Sequence, residues 1–158
     1  MSENDATFMR RAIALARTGM DGGQGGPFGC VVVKDGSIIG EGSNQVTSTN
    51  DPSAHAEIVA IRAACRALKD FQLTGCEIYT TCEPCPMCMG AIYWARPSKV
   101  YYACSRQDAA DAGFDDSMIY EELAAPADKR KIPMSCIAPA LGSKLFDEWI
   151  DKSNKTRY

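Results

Sequence analysis

His55-Ala56-Glu57 and, after twenty-six intervening residues, Pro84-Cys85-Pro86-Met87-Cys88 are the stretches on which the reading of this chain turns. His55 is its only histidine. A lone histidine is usually a structural or surface residue, but here a carboxylate stands two positions on and a thiol pair follows. Neutral imidazole and thiolates suit zinc, and three protein ligands leave the fourth position to water, whose pKa zinc lowers to about 7. Cys85 and Cys88 are spaced to put both sulfurs on one side of a helix's first turn. The free backbone N–H groups there favour thiolate over thiol, and Pro86 fits a turn that needs no donor from it. The expected metal ligands are therefore His55, Cys85 and Cys88. Glu57, beside them but not coordinating, is the expected general acid–base.

Three rival readings are weaker. A thioredoxin-type redox pair at Cys85-Pro86-Met87-Cys88 leaves His55 and Glu57 without a role. An iron–sulfur run beginning Cys82, Cys85, Cys88 lacks its fourth cysteine, whose place is held by Ile92. Cys82 as a fourth zinc ligand would make a closed, structural site and a non-catalytic binding module. That alternative stays open, with Cys82 read as packing or second shell.

Outward from the motif, the chain alternates helix and strand. Phe8, Ala12, Leu15, Ala16 and Gly19 recur at helical steps from about residue 5 to 20. A glycine-rich loop ends that helix, and Cys30 to Val33 and Ser37 to Gly42 then form a hairpin about Asp35-Gly36. A polar connection leaves the hairpin at Ser43-Asn44-Gln45 and ends at Asn50-Asp51-Pro52-Ser53. Ile58, Ile61, Cys65 and Leu68 mark a helix face beginning near His55. Further strands are expected at 77–81, 100–104 and 132–137, with helices at 86–95, within 109–122 and at 142–154. The expected architecture is a three-layer αβα sandwich around a five-stranded mixed sheet, in one domain over residues 1–158.

Composition narrows the class. The 158 residues are 46% apolar and 23% charged, ordinary for a globular domain. The sequence lacks a membrane-length apolar run, and its N-terminus lacks a basic flank before an apolar core, so a cytoplasmic location is expected. Of eight cysteines only Cys82, Cys85 and Cys88 cluster, which favours thiols over a disulfide framework. A net charge of −3 argues against a nucleic-acid partner. The basic run Lys129-Arg130-Lys131 reads as a solvated loop.

The motif pair matches the H-x-E…P-C-x-x-C signature of zinc nucleobase deaminases. Gly25-Gly26-Pro27-Phe28-Gly29, Asn50 to Glu57, Cys82 to Cys88, Tyr93-Trp94-Ala95-Arg96 and Gly113-Phe114-Asp115-Asp116 together resemble the small bacterial guanine deaminases of the cytidine-deaminase-like superfamily. The resemblance extends from the first helix to Tyr158. It implies one zinc per chain and hydrolysis of guanine to xanthine and ammonia. On it, Asn44, Phe28, Ala56, Trp94 and Tyr158 would bind the base, and Asp116 would be a second catalytic carboxylate near the leaving amine. It also implies a homodimer that exchanges the segment from about 110 to 158. Without the resemblance, Asp115 and Asp116 read as helix caps and Tyr158 as a frayed end. The nearest alternatives act on cytosine, tRNA adenosine or a triazine on the same fold.

Overall fold

Ser2 and Asp5 bond each other's backbone amides, at 3.1 and 2.7 Å, a capping box that starts α1 (Glu3–Asp21). The computed structural model describes residues 2–158. After α1 come strands β1 (Gly29–Lys34) and β2 (Ser37–Ser43), then the short α2 (Val46–Thr49) inside the expected polar connection. α3 (Ala56–Leu68), β3 (Cys76–Cys82), α4 (Pro86–Ala95), β4 (Lys99–Cys104) and α5 (Arg106–Asp111) complete the first of two compact units, which reaches Asp116. Asp35 and Gly36 both take positive φ, 49° and 73°, as a two-residue turn joining twisted strands requires.

The sheet runs β2-β1-β3-β4, with β1 antiparallel to β2 and β3, and β3 parallel to β4. Side chains alternate across it. Val31, Val33 and Tyr79 face one way and pack with Ala12, Phe8, Met9 and Leu15 of α1. Cys30, Val32 and Ile78 face the other way, against Ala56, Ala60 and Ala64 of α3 and Ile92 and Ala95 of α4. Both faces are covered, which is why β1 reads as an unbroken apolar run.

The αβα layering agrees with expectation, but the sheet has four strands where five were expected. Residues 132–137 form no strand, residue 132 lying in a bend and the rest in irregular chain, and Ile132 and Ile137 are 79% and 84% exposed. Their pattern suits a strand, yet a strand is stable only when its amides find a neighbour, and Pro133 has none to offer. The second unit, Ser117–Tyr158, is otherwise helical: α6 (Ser117–Ala124), a 3-10 turn (Ala127–Lys129) and α7 (Pro139–Asp151). α7 leaves Leu141, Leu145, Phe146 and Ile150 exposed.

Two features seat the helices that carry the motif. α3 and α4 end on Lys69 and Arg96, both in the left-handed conformation. At its start, α3 lies almost on the β2 backbone. A Cβ on Gly42 would fall 2.4 Å from the carbonyl oxygen of Ala56, and one on Gly40 2.5 Å from that of Ala60. Gly42→Ala is expected to push the start of α3 off the sheet and cost about 1–3 kcal/mol, as overpacking does. Chemical denaturation reads the loss; an unchanged midpoint would contradict the close approach.

Candidate metal centre and active site

Two helix starts meet at one point. His55 is the N-cap of α3 and Cys85 the N-cap of α4, both with extended backbone. Cys88 follows in the first turn of α4, behind Pro86 at its first position. Cys85 and Cys88 are thus held against the free amides of α4, where negative charge is stabilised. The Nδ1 atom of His55 lies 3.6 Å from both sulfurs, and the three donor atoms fall within 4.8 Å of one another. Tetrahedral zinc, at about 2.3 Å from sulfur and about 2.0 Å from nitrogen, sets such S···N edges at about 3.5 Å. The donor set and its spacing fit that ion.

Electrostatics in the metal-free protein point the same way. A hydrogen bond from the Cys88 thiol, and a second from His55, hold the Cys85 pKa down to about 4, while Cys88 keeps its proton. The Cys85 contact raises the pKa of His55 in turn. A metal entering here displaces the remaining protons, since its ligands must be thiolate and neutral imidazole.

Cys82 takes no part. Its thiol donates to the Ser105 carbonyl at 3.5 Å, and among the described residues the convergent group is His55, Cys85 and Cys88 alone. Three protein ligands leave an open position, which removes the closed, structural reading.

Glu57 sits in the first turn of α3, 6% exposed. Burial raises its pKa against hydrogen bonds from its own backbone amide and from Thr80 Oγ1, which donates to Oε1 at 2.9 Å, while Cys88 Sγ lies 3.5 Å from Oε2. A cavity of about 240 Å³ opens over the group, lined by Phe28, Asn44, His55, Glu57, Cys85 and Asp116, with Phe114. Asn44 is fixed by two backbone amides, Gly26 and Val46, which donate to its Oδ1 at 3.3 and 3.2 Å. Phe28 and Phe114 meet edge to face, 4.9 Å between centroids. Burial raises the Asp116 pKa as well.

Six of the expected site residues thus share one cavity wall, and Cys88 is buried behind it. The other three lie elsewhere. The Ala56 side chain belongs to the core, while Trp94 and Tyr158, 62% and 72% exposed, are not among the lining residues. Thr80 and Phe114 had not been singled out. A threonine within a strand carries no signature, and Phe114 was visible only as part of a family segment.

The family described as the cytidine and deoxycytidylate deaminase zinc-binding region matches residues 2–104. The chain belongs to that deaminase family. It is a zinc enzyme that hydrolyses a C–N bond, and His55, Cys85 and Cys88 are the convergent donors placed to take the metal. Among its relatives, the guanine deaminase of Bacillus subtilis (strain 168) is 54% identical over 155 residues, spanning 98% of this chain and 99% of that protein. The X-ray structure of guanine deaminase from Bacillus subtilis superposes with a TM-score of 0.95 at 53% identity, covering 100% of this chain and 99% of the other. The tRNA-specific adenosine deaminase of Aquifex aeolicus (strain VF5) is 42% identical over 96 residues, covering 61% of this chain and 63% of that protein. Among the described residues no helix is long and apolar enough to cross a membrane.

Replacing His55 or Cys88 with alanine is expected to lower bound zinc from one per chain to near none after dialysis, whereas Cys82→Ala keeps it. Elemental analysis decides; loss of zinc from Cys82→Ala would restore a fourth protein ligand.

Proposed function

We propose that this enzyme hydrolyses guanine to xanthine and ammonia, in the cytoplasm. One observation carries the substrate: the likeness to a guanine deaminase extends over 98% of the chain, well beyond the zinc-binding region at residues 2–104. The tRNA deaminase match covers 61%.

Bound zinc supplies Lewis acidity that readies a water for attack near neutral pH. The chain's own groups do the rest. Phe28 offers a ring face to the purine. Asn44, its Oδ1 already taken by Gly26 and Val46, presents its amide N–H groups to an acceptor on the base. The Ala56 contact is a backbone one, through the free amide at the start of α3. Glu57 takes a proton from the attacking water and passes it to a ring nitrogen. Asp116 stands by the departing amine. The water oxygen stays on carbon 2, its two protons end on the ring and on the amine, and ammonia leaves as the C2–N bond breaks. Holding base, water and carboxylate together removes much of the entropic barrier.

The same reading makes the enzyme a homodimer, one zinc-deaminase domain per chain with the C-terminal segment exchanged. Three observations support it. The outer edge of β4 has no neighbour strand among the described residues, residues 132–137 are mostly apolar and form no strand, and α7 shows an apolar stripe. A second copy would then bring Tyr158 to the site, and Trp94 would lie at the contact.

Zinc-loaded protein is expected to release ammonia and xanthine from guanine, and no ammonia from cytosine or adenine. Release from another base would discard the guanine assignment. Glu57→Gln is expected to abolish turnover with zinc still bound; near-normal activity would remove its acid–base role. Exchange has its own check. Glu57→Gln and Tyr158→Ala chains, each inactive alone, are expected to regain activity when refolded together, because one site of the mixed dimer is intact. No recovery counts against it.

A further inference from the structure

Besides its own backbone amide, two side chains meet the Glu57 carboxylate, and they differ in what happens to them when the enzyme is loaded. The Cys88 thiol reaches Oε2 at 3.5 Å, but as a zinc ligand it is a thiolate and has no proton to give. Thr80 reaches Oε1 at 2.9 Å with a hydroxyl that metal binding leaves untouched. Thr80 is 1% exposed, on β3 directly opposite Cys30 of β1, so its own position is set by the sheet ladder. Its bond joins the third strand to the first turn of α3.

We propose that Thr80 is a positioning residue for catalysis. It pins Oε1 of Glu57 and so leaves Oε2, the oxygen on the metal-ligand side, as the atom that carries protons. The inference rests on the acid–base role of Glu57 proposed above. Without that bond the carboxylate keeps only its own backbone amide as a lasting donor, and each turn about its two methylenes takes the proton-bearing oxygen out of line. With Oε1 held, the same oxygen faces the water and then the base. A charge-assisted bond of this kind is among the stronger ones a buried hydroxyl can make.

The test uses zinc-loaded Thr80→Val, which keeps the branched shape and removes the donor, and Thr80→Ser, which keeps the donor. For Thr80→Val the expected result is a kcat about 10- to 100-fold lower, the range typical of such supporting contacts. KM stays within about twofold and zinc at one per chain, because neither base binding nor the ligands are touched. Thr80→Ser recovers most of kcat. A wild-type kcat in Thr80→Val overturns the proposal. Equal losses in both variants also overturn it, since shape and not the hydrogen bond would then be at work. If Thr80→Val does not fold, Thr80→Ala is read against Thr80→Ser in the same way. Wild-type activity separates this proposal from the substrate reading. Silence toward guanine alone discards guanine, and the variants are then compared on whichever base releases ammonia. Silence toward every base, with zinc bound, removes both.

Discussion

The structure depends on bringing two helix N-termini to the same point. Each carries free amides and a partial positive charge, and neither end has a side-chain cap hydrogen bond at its first residue. What makes the meeting tolerable is that the residues placed there are sulfurs, which accept negative charge, and an imidazole that can share a metal with them. The sheet supplies the geometry: α3 is drawn onto β2 by two missing side chains, and α4 springs directly from the end of β3 through Glu83-Pro84. The ligands sit at the starts of rigid elements and not on a loop, so their spacing suits zinc before zinc arrives.

The same arrangement explains the division of labour around the cavity. The convergent metal-type donors come from helix starts, while the other side chains lining the cavity come from the loops and strand ends beside them: Phe28 ahead of β1, Asn44 after β2, Phe114 and Asp116 after α5. The metal chemistry can stay constant while the wall facing the base varies. That fits the comparisons, in which this chain resembles relatives named for guanine and for tRNA adenosine over 98% and 61% of its length.

Much of this was legible in the sequence because the decisive residues are close together and chemically unusual. A histidine two before a glutamate, and cysteines flanking Pro86, have few other uses, and Pro86 marks the start of α4 to the residue. Asp35-Gly36 marks the hairpin for a similar reason, since few residue pairs accept that turn. Other parts were hidden for equally physical reasons. The expected strand at 132–137 failed because alternation specifies a face but not a neighbour. α2 is four residues long, too short for any period to show. Thr80 acts through one hydrogen bond to a residue 23 positions away, which no local pattern records. Trp94 and Tyr158 do not line the cavity, so the role expected of them follows from the family likeness alone.

The far ends of the two site helices carry their own lesson. Lys69 and Arg96 hold a left-handed backbone that glycine adopts without steric cost, while their charges suit the negative end of a helix. Electrostatic ease has been kept there at the expense of conformational ease. At 1.5 Å per residue, the 13 residues of α3 put that compromise about 20 Å from His55. The strained end and the reactive end therefore lie a helix length apart on the same rod.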